Sequence, residues 1–168
     1  MSKKTFNLIF LSKFKPKIIS IYWLLLGTTI IFNSFVPKTQ AQSNSININS
    51  TIVKNPLVLQ GNSGGAVIAK KISQTENTAT GFCDGYVSPQ PNHVLKLESF
   101  FESLRLEVES SADTTILVKG PGGVWCNDDA DSANPMIEGQ WQPGTYQVWI
   151  GSYQANSNDS YRIKVTGK

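Results

Sequence analysis

The sequence is poor in the residues that most often carry chemistry. It has one histidine and two cysteines in 168 residues, too few for a zinc site built from paired Cys and His ligands. Charged residues make up only 16%, against about a quarter in an ordinary soluble domain. Their placement is uneven. Six of the 15 basic residues (Lys3, Lys4, Lys13, Lys15, Lys17 and Lys38) precede Ala41, and all 12 acidic residues follow it. The part after Ala41 therefore carries nine basic and 12 acidic residues, a net charge of −3. Its Lys and Arg residues are scattered singly, so no basic patch remains to recruit nucleic acid.

Long apolar runs are scarce as well. One covers residues 18–32, broken only by Ser20, Gly27, Thr28 and Thr29. At 15 residues it falls short of the roughly 20 that span a bilayer. A basic start, this apolar run and the small-x-small triplet Thr39-Gln40-Ala41 together read as a secretory signal over residues 1–41. The expected destination is the periplasm, the cell envelope or the exterior. A retained anchor is the alternative, with Asn33-Ser34-Phe35-Val36 extending the run. Only then would the membrane be a partner.

Helical periodicity is hard to find after Ala41. Residues 42–56 are rich in Ser and Asn with isolated Ile. They carry too little apolar mass for a core and are expected to form a flexible linker. Residues 57–168 alternate instead. Leu104, Leu106 and Val108 interleave with Arg105, Glu107 and Glu109, and Tyr146, Val148 and Ile150 with Gln147 and Trp149. Tyr161, Ile163 and Val165 flank Arg162 and Lys164, and His93, Leu95 and Leu97 flank Val94 and Lys96. Period-two patterns predict half-buried antiparallel strands. The run Ile116-Leu117-Val118 suggests a strand covered on both faces. Turn residues punctuate these strands at Gly120-Pro121-Gly122-Gly123, Pro143-Gly144 and Ser157-Asn158-Asp159. The predicted fold is an all-β antiparallel sandwich of jelly-roll type.

Two cysteines, Cys83 and Cys126, in an exported chain argue for one disulfide. It would close a loop of 43 residues, worth roughly 4 kcal/mol before strain.

Four groups of residues invite a functional reading. Gly61-Asn62-Ser63-Gly64-Gly65 resembles a serine-protease nucleophile loop, but such a serine needs a histidine base oriented by a carboxylate. The sole histidine, His93, lies after Ser63, and the expected role of the motif is a flexible lead into the first strand. Asn127-Asp128-Asp129-Ala130-Asp131-Ser132, with Asn134 nearby, is the densest oxygen cluster. Asp128, Asp129 and Asp131 are the candidate calcium ligands, and a solvated acidic turn is the alternative. Trp125, Trp141 and Trp149 are candidate ligand-binding residues, since exposed aromatics on a sheet can stack on sugars. Burial in a core or under a covering layer is the competing role. His93, starting a strand, is expected to be structural.

Residues 104–166 resemble the bacterial pre-peptidase C-terminal domain, a jelly-roll-like β-sandwich appended to secreted peptidases. The resemblance rests on the strand at 104–108 and on the strand at 115–119 running into Gly120-Pro121-Gly122-Gly123. It rests also on the acidic Asn127-Asp128-Asp129, on Pro143-Gly144-Thr145-Tyr146, and on the closing Tyr161-Arg162-Ile163-Lys164-Val165. One departure stands out. An Asp-x-Asp-like pair usual in that family is replaced here by Asp113-Thr114-Thr115, which weakens any metal role carried over from that strand. The Cys83 segment and the Trp residues resemble small secreted cyanobacterial proteins. The resemblance implies a non-catalytic binding or accessory module. Its partner would be an extracellular or envelope protein or a polysaccharide, with calcium as the one cofactor to test. A small hydrolase is the remaining alternative.

Overall fold

The structure, a computed structural model, describes residues 45–130 and 133–168. The export segment read over residues 1–41, the first three residues of the linker read over 42–56, and the candidate ligand Asp131 lie outside them. In chain order the strands are β1 (Ser45–Ile48), β2 (Leu57–Asn62), β3 (Val67–Ile68), β4 (Asn77–Thr78), β5 (Gly81–Phe82), β6 (Tyr86–Val87) and β7 (His93–Leu97). They continue as β8 (Phe101–Ser110), β9 (Thr114–Gly120), β10 (Gly123–Asn127), β11 (Met136–Trp141), β12 (Gly144–Ser152) and β13 (Ser160–Gly167). A 3-10 turn (Ser50–Val53) follows β1, and a five-residue helix α1 (Ala69–Ser73) follows β3.

Two sheets stack, as the alternation predicts. The first is built on β12. One edge of β12 pairs with β7 over Gly144 to Val148 and with β6 at Ser152; its other edge pairs with β9. Strands β1, β3 and β10 extend this sheet outward. The second sheet runs β11-β8-β13-β2, antiparallel throughout. Leu95, Ile116, Val118, Tyr146, Val148 and Ile150 of the first sheet interleave with Leu104, Leu106, Val108, Ile163 and Val165 of the second, all buried. The polar members of the alternation face outward. There Glu107 lies opposite Lys164 and Glu109 opposite Arg162, pairings of opposite charge that favour this register.

Tight turns follow their residue types. In Gly120-Pro121-Gly122-Gly123, Gly120 pairs with Gly123, leaving a two-residue loop. Proline supplies the first turn position, and Gly122, at φ +92°, takes the left-handed position that a side chain resists.

Residues 45–56 are not a linker. β1 pairs in parallel with β7, Ser45 opposite Val94 through Ile48 opposite Leu97. Ile48 is fully buried and Ile52 nearly so. Between them Asn49 caps the 3-10 turn, its Oδ1 accepting from the Thr51 N–H at 3.0 Å. The segment thus crosses from the edge of one sheet to the edge of the other and closes the sandwich. Average composition hid this, because two well-placed isoleucines suffice when the rest of the segment faces water.

A third layer was only partly foreseen. The outer face of the first sheet carries Val87, Leu117, Cys126 and Trp149, and α1 with the β4–β5 hairpin lies over it. This explains why residues 116–118 are apolar without alternation. The disulfide Cys83–Cys126 joins the cover to β10 with a Cα–Cα distance of 5.0 Å.

Replacing Ile48 with Ala should cost about 2–5 kcal/mol. Urea unfolding of the wild type and the variant measures it; a loss comparable to a surface substitution would return residues 45–56 to the role of a linker.

Candidate functional site

One end of the sandwich gathers Asp113, Asp128, Asp129 and Asp159. The start of β9, the β10–β11 connection and the β12–β13 connection all lie there, because these antiparallel strands begin or finish at the same level. Two asparagines bracket the acidic loop. Asn127 accepts at Oδ1 from the Met136 N–H (3.1 Å) and donates from Nδ2 to the Thr80 carbonyl (2.8 Å). Asn134 accepts at Oδ1 from the Thr114 hydroxyl (3.1 Å) and donates from Nδ2 to the Ser110 carbonyl (3.0 Å). The side-chain oxygen of Asn134 is thereby committed to the frame of the loop. Asp128 is half-buried and Asp129 exposed.

Asp113, just before β9, belongs to the same end. Its carboxyl is pushed above the ordinary carboxylate range, first by partial burial and then by the negative charges of Asp129 and Asp128. Asp128 and Asp129 thus add to the negative field at Asp113. Among the described residues no group of three His, Cys, Asp or Glu side chains converges as a metal-binding set. Beside Asp113 lies a cleft of about 260 Å³ whose lining includes Ser152, Tyr153 and Asp159. Tyr153 is 62% exposed, the most exposed large apolar side chain of the described residues. Its N–H donates to the Asp113 carbonyl at 3.2 Å, which holds the two residues together.

The tryptophans fall out differently. Trp141 and Trp149 are each only 4% exposed, so neither can stack on a sugar. Trp141 points between the sheets, in contact with Tyr146 (ring centroids 4.7 Å apart) and stacked on half-buried Trp125 at 6.0 Å. Tyr146 finishes the group by donating its hydroxyl to the Gln142 carbonyl at 2.9 Å. Trp149 faces the other way, into the cluster beneath the cover. The three candidate ligand-binding tryptophans thus divide between two clusters, Trp125 and Trp141 in one and Trp149 in the other.

The protease-like motif is structural. Ser63 is buried, and both its N–H and its hydroxyl donate to the Asp159 carbonyl, at 2.8 and 3.1 Å. It is not a flexible lead: Gly61 and Asn62 end β2. Gly61 faces the Tyr161 hydroxyl, where a Cβ would collide. Gly64 sits at φ +87° and donates its N–H to the Ile150 carbonyl at 3.0 Å. The Ile150 N–H in turn donates to Asn92 Oδ1 at 2.9 Å. Together Gly64 and Asn92 fill the gap that β7 and β6 leave along the edge of β12.

His93 closes the same corner. Its Nε2 lies 2.8 Å from the Tyr161 hydroxyl, with the rings edge to face, and bridges the two sheets. Burial holds the imidazole below its ordinary value of 6.5. Burial likewise raises the Tyr161 hydroxyl, against a smaller opposing effect from a hydrogen bond with Asn92.

Tyr153 and Asp159 escaped the functional part of the sequence reading, and Asp113 entered it only as a departure from an Asp-x-Asp-like pair. No local signal marks them, since only strand pairing brings residues 113, 128–129 and 153–159 to one end.

No known family profile matches the chain. It is similar to an uncharacterized protein of Synechococcus elongatus, 24% identical over 151 residues, covering 88% of this chain and 97% of that one. Among solved structures it is similar to the pre-peptidase C-terminal domain of collagenase from Bacillus anthracis, with a TM-score of 0.42 and 12% identity over 73% of this chain and 93% of that one. It is also similar to PliG of Aeromonas hydrophila, a periplasmic inhibitor of g-type lysozyme, with a TM-score of 0.40 and 10% identity over 74% and 96% of the two chains. A third similar structure is CorA, a surface-associated copper-binding protein of Methylomicrobium album BG8, with a TM-score of 0.39 and 10% identity over 74% and 98%.

Two titrations check this geometry. A carboxyl whose native pKa is raised favours folding while protonated, and that gain is lost as pH rises. Asp113→Asn should therefore raise the melting temperature at neutral pH and low salt, by less at high salt where Asp128 and Asp129 are screened. An unchanged or lowered melting temperature at low salt would contradict the raised carboxyl, and a rise of equal size at both salt concentrations would contradict the contribution of Asp128 and Asp129. For His93 the sign is opposite. A buried neutral imidazole lets the unfolded chain take up the proton first, so stability falls as pH drops below the unfolded value. The advantage of the wild type over His93→Gln should shrink from about pH 7.5 to about pH 4.5, and a constant gap in melting temperature would refute it.

Proposed function

We propose that the mature chain is an exported, non-catalytic binding domain acting outside the cytoplasm, and that the acidic loop end is its recognition surface. The observation that carries this reading is the cleft that brings Asp113 and Asp159 beside exposed Tyr153, with Asp128 and Asp129 near enough to add to the negative field at Asp113. Such a surface favours a cationic partner: carboxylates attract ammonium or guanidinium groups, and a tyrosine face adds a cation–π contact. A basic segment of an envelope or extracellular protein has that chemistry. A polysaccharide fits less well, since Trp141 and Trp149 are buried. The disulfide supports an oxidising compartment. The non-catalytic reading is supported by Ser63 and His93, whose polar atoms serve the frame. Calcium is a second reading, resting on the run of oxygen-bearing residues in the acidic loop, with Asp128, Asp129 and Asp131 as its ligands.

The two readings separate experimentally. An octalysine peptide should bind the full chain at low ionic strength, weaken steeply with salt, and lose affinity to the triple variant Asp113→Asn/Asp128→Asn/Asp129→Asn. No binding at low salt, or binding indifferent to the triple variant, would exclude the cationic-partner surface. Calcium alone, added at millimolar concentration in a thermal melt, should raise the melting temperature only if the loop holds the ion.

A further inference from the structure

The cover over the first sheet is built differently from the sandwich it lies on. Of its own side chains only Ala69, Ser73 and Cys83 are buried, and Ile72 is half-buried. Its helix has five residues and no side-chain N-cap, and ends with Gln74 in the left-handed conformation. Its hairpin pairs two residues with two. Elements this short do not persist alone in water. Polar ties to the sheet are few. The N–H of Cys126 donates to the Thr78 hydroxyl (3.0 Å), and the carbonyl of Cys126 accepts from the Thr80 hydroxyl (2.8 Å). Asn127 donates to the Thr80 carbonyl, and Lys119 reaches the Ile72 carbonyl at 3.0 Å. The closed state also carries a penalty, because the Trp149 indole N–H beneath the cover is buried with no acceptor among the described residues.

Against this stands one covalent tie, Cys83–Cys126, which runs from the cover to the edge strand β10. Both sulfurs belong to buried residues, so a reductant reaches them only after local opening. We propose that the cover, residues 69–83, is a redox-operated flap, latched by Cys83–Cys126 and released by a dithiol while the two-sheet sandwich stays folded. In the step, a thiolate of the dithiol attacks one cysteine sulfur. The S–S bond breaks and a mixed disulfide forms, leaving the other cysteine as a thiol. The second thiol of the dithiol then displaces the protein sulfur. Two electrons and two protons pass to Cys83 and Cys126, and the dithiol leaves as its cyclic disulfide. Opening wets Leu117 and Trp149 and frees the edge of β10 that Thr78 and Thr80 otherwise occupy.

The test is native-state reduction of the full chain with dithiothreitol, with thiol alkylation to confirm that the bond has opened. Trypsin cleavage after Lys70 or Lys71, identified by fragment mass, should accelerate on the order of tenfold or more. Tryptophan emission should shift to the red in the wild type but not in Trp149→Phe. The far-ultraviolet signal of the sheets and the cooperative melt should remain. Three results would overturn the proposal: cleavage and emission unchanged in the alkylated protein, collapse of the sheet signal together with the latch, or a disulfide that resists dithiothreitol until the whole domain unfolds. The double variant Cys83→Ala/Cys126→Ala should reproduce the open behaviour without reductant. If it does not fold, native-state reduction still decides.

Discussion

The centre of the structure is the enclosure of β12. Its backbone is paired along both edges, and from Val148 to Ser152 it is buried on both faces. Tyr146, Val148 and Ile150 enter the space between the sheets, and Trp149 enters the layer beneath the cover. A stretch of strand buried in this way must have each polar backbone group satisfied inside the protein. That demand explains two otherwise odd features. Asn92 lends its side chain to the N–H of Ile150, and Gly64 gives its own N–H to the carbonyl of the same residue. Both stand in for strand partners that β6 and β7 do not supply.

The same economy governs the edges. Strand β10 would present a free edge, and the threonines of the cover occupy it. On the other side, β1 and the 3-10 turn run between the sheets' margins and seat Ile48 and Ile52 in the common core. Strand β11 breaks register between Gly139 and Trp141, a bulge at an outer edge. Each device limits the unpaired strand surface that would otherwise invite association. The acidic end can then differ from the rest of the molecule, because its loops are anchored at their bases by Asn127, Asn134 and Thr114 and need little core of their own.

Much of the strand framework was legible because a sheet with one face buried imposes period two on its side chains. Leu104-Arg105-Leu106-Glu107-Val108 and Tyr161-Arg162-Ile163-Lys164-Val165 state it directly. The disulfide was legible too, since two cysteines allow one pairing. The N-terminal strap was not, because four residues of β1 are too few for a period to stand out from a polar background. The candidate site was half legible. Asp128 and Asp129 are adjacent in sequence and drew attention as a cluster. Asp113 and Tyr153 joined them only through the pairing of β9 with β12.

Residue order alone determined the fold class and the sulfur–sulfur link, because alternation, turn chemistry and cysteine number act over a few neighbours or by simple count. Only the tertiary structure decided which tryptophans are accessible, where residues 45–56 go, and which carboxylates feel one another. Those outcomes depend on the stacking of layers and on distances between residues far apart in the chain. Trp149 shows the difference most clearly: its alternation places it on the outer face of β12, and only the cover latched through Cys83 turns that outer face into an interior.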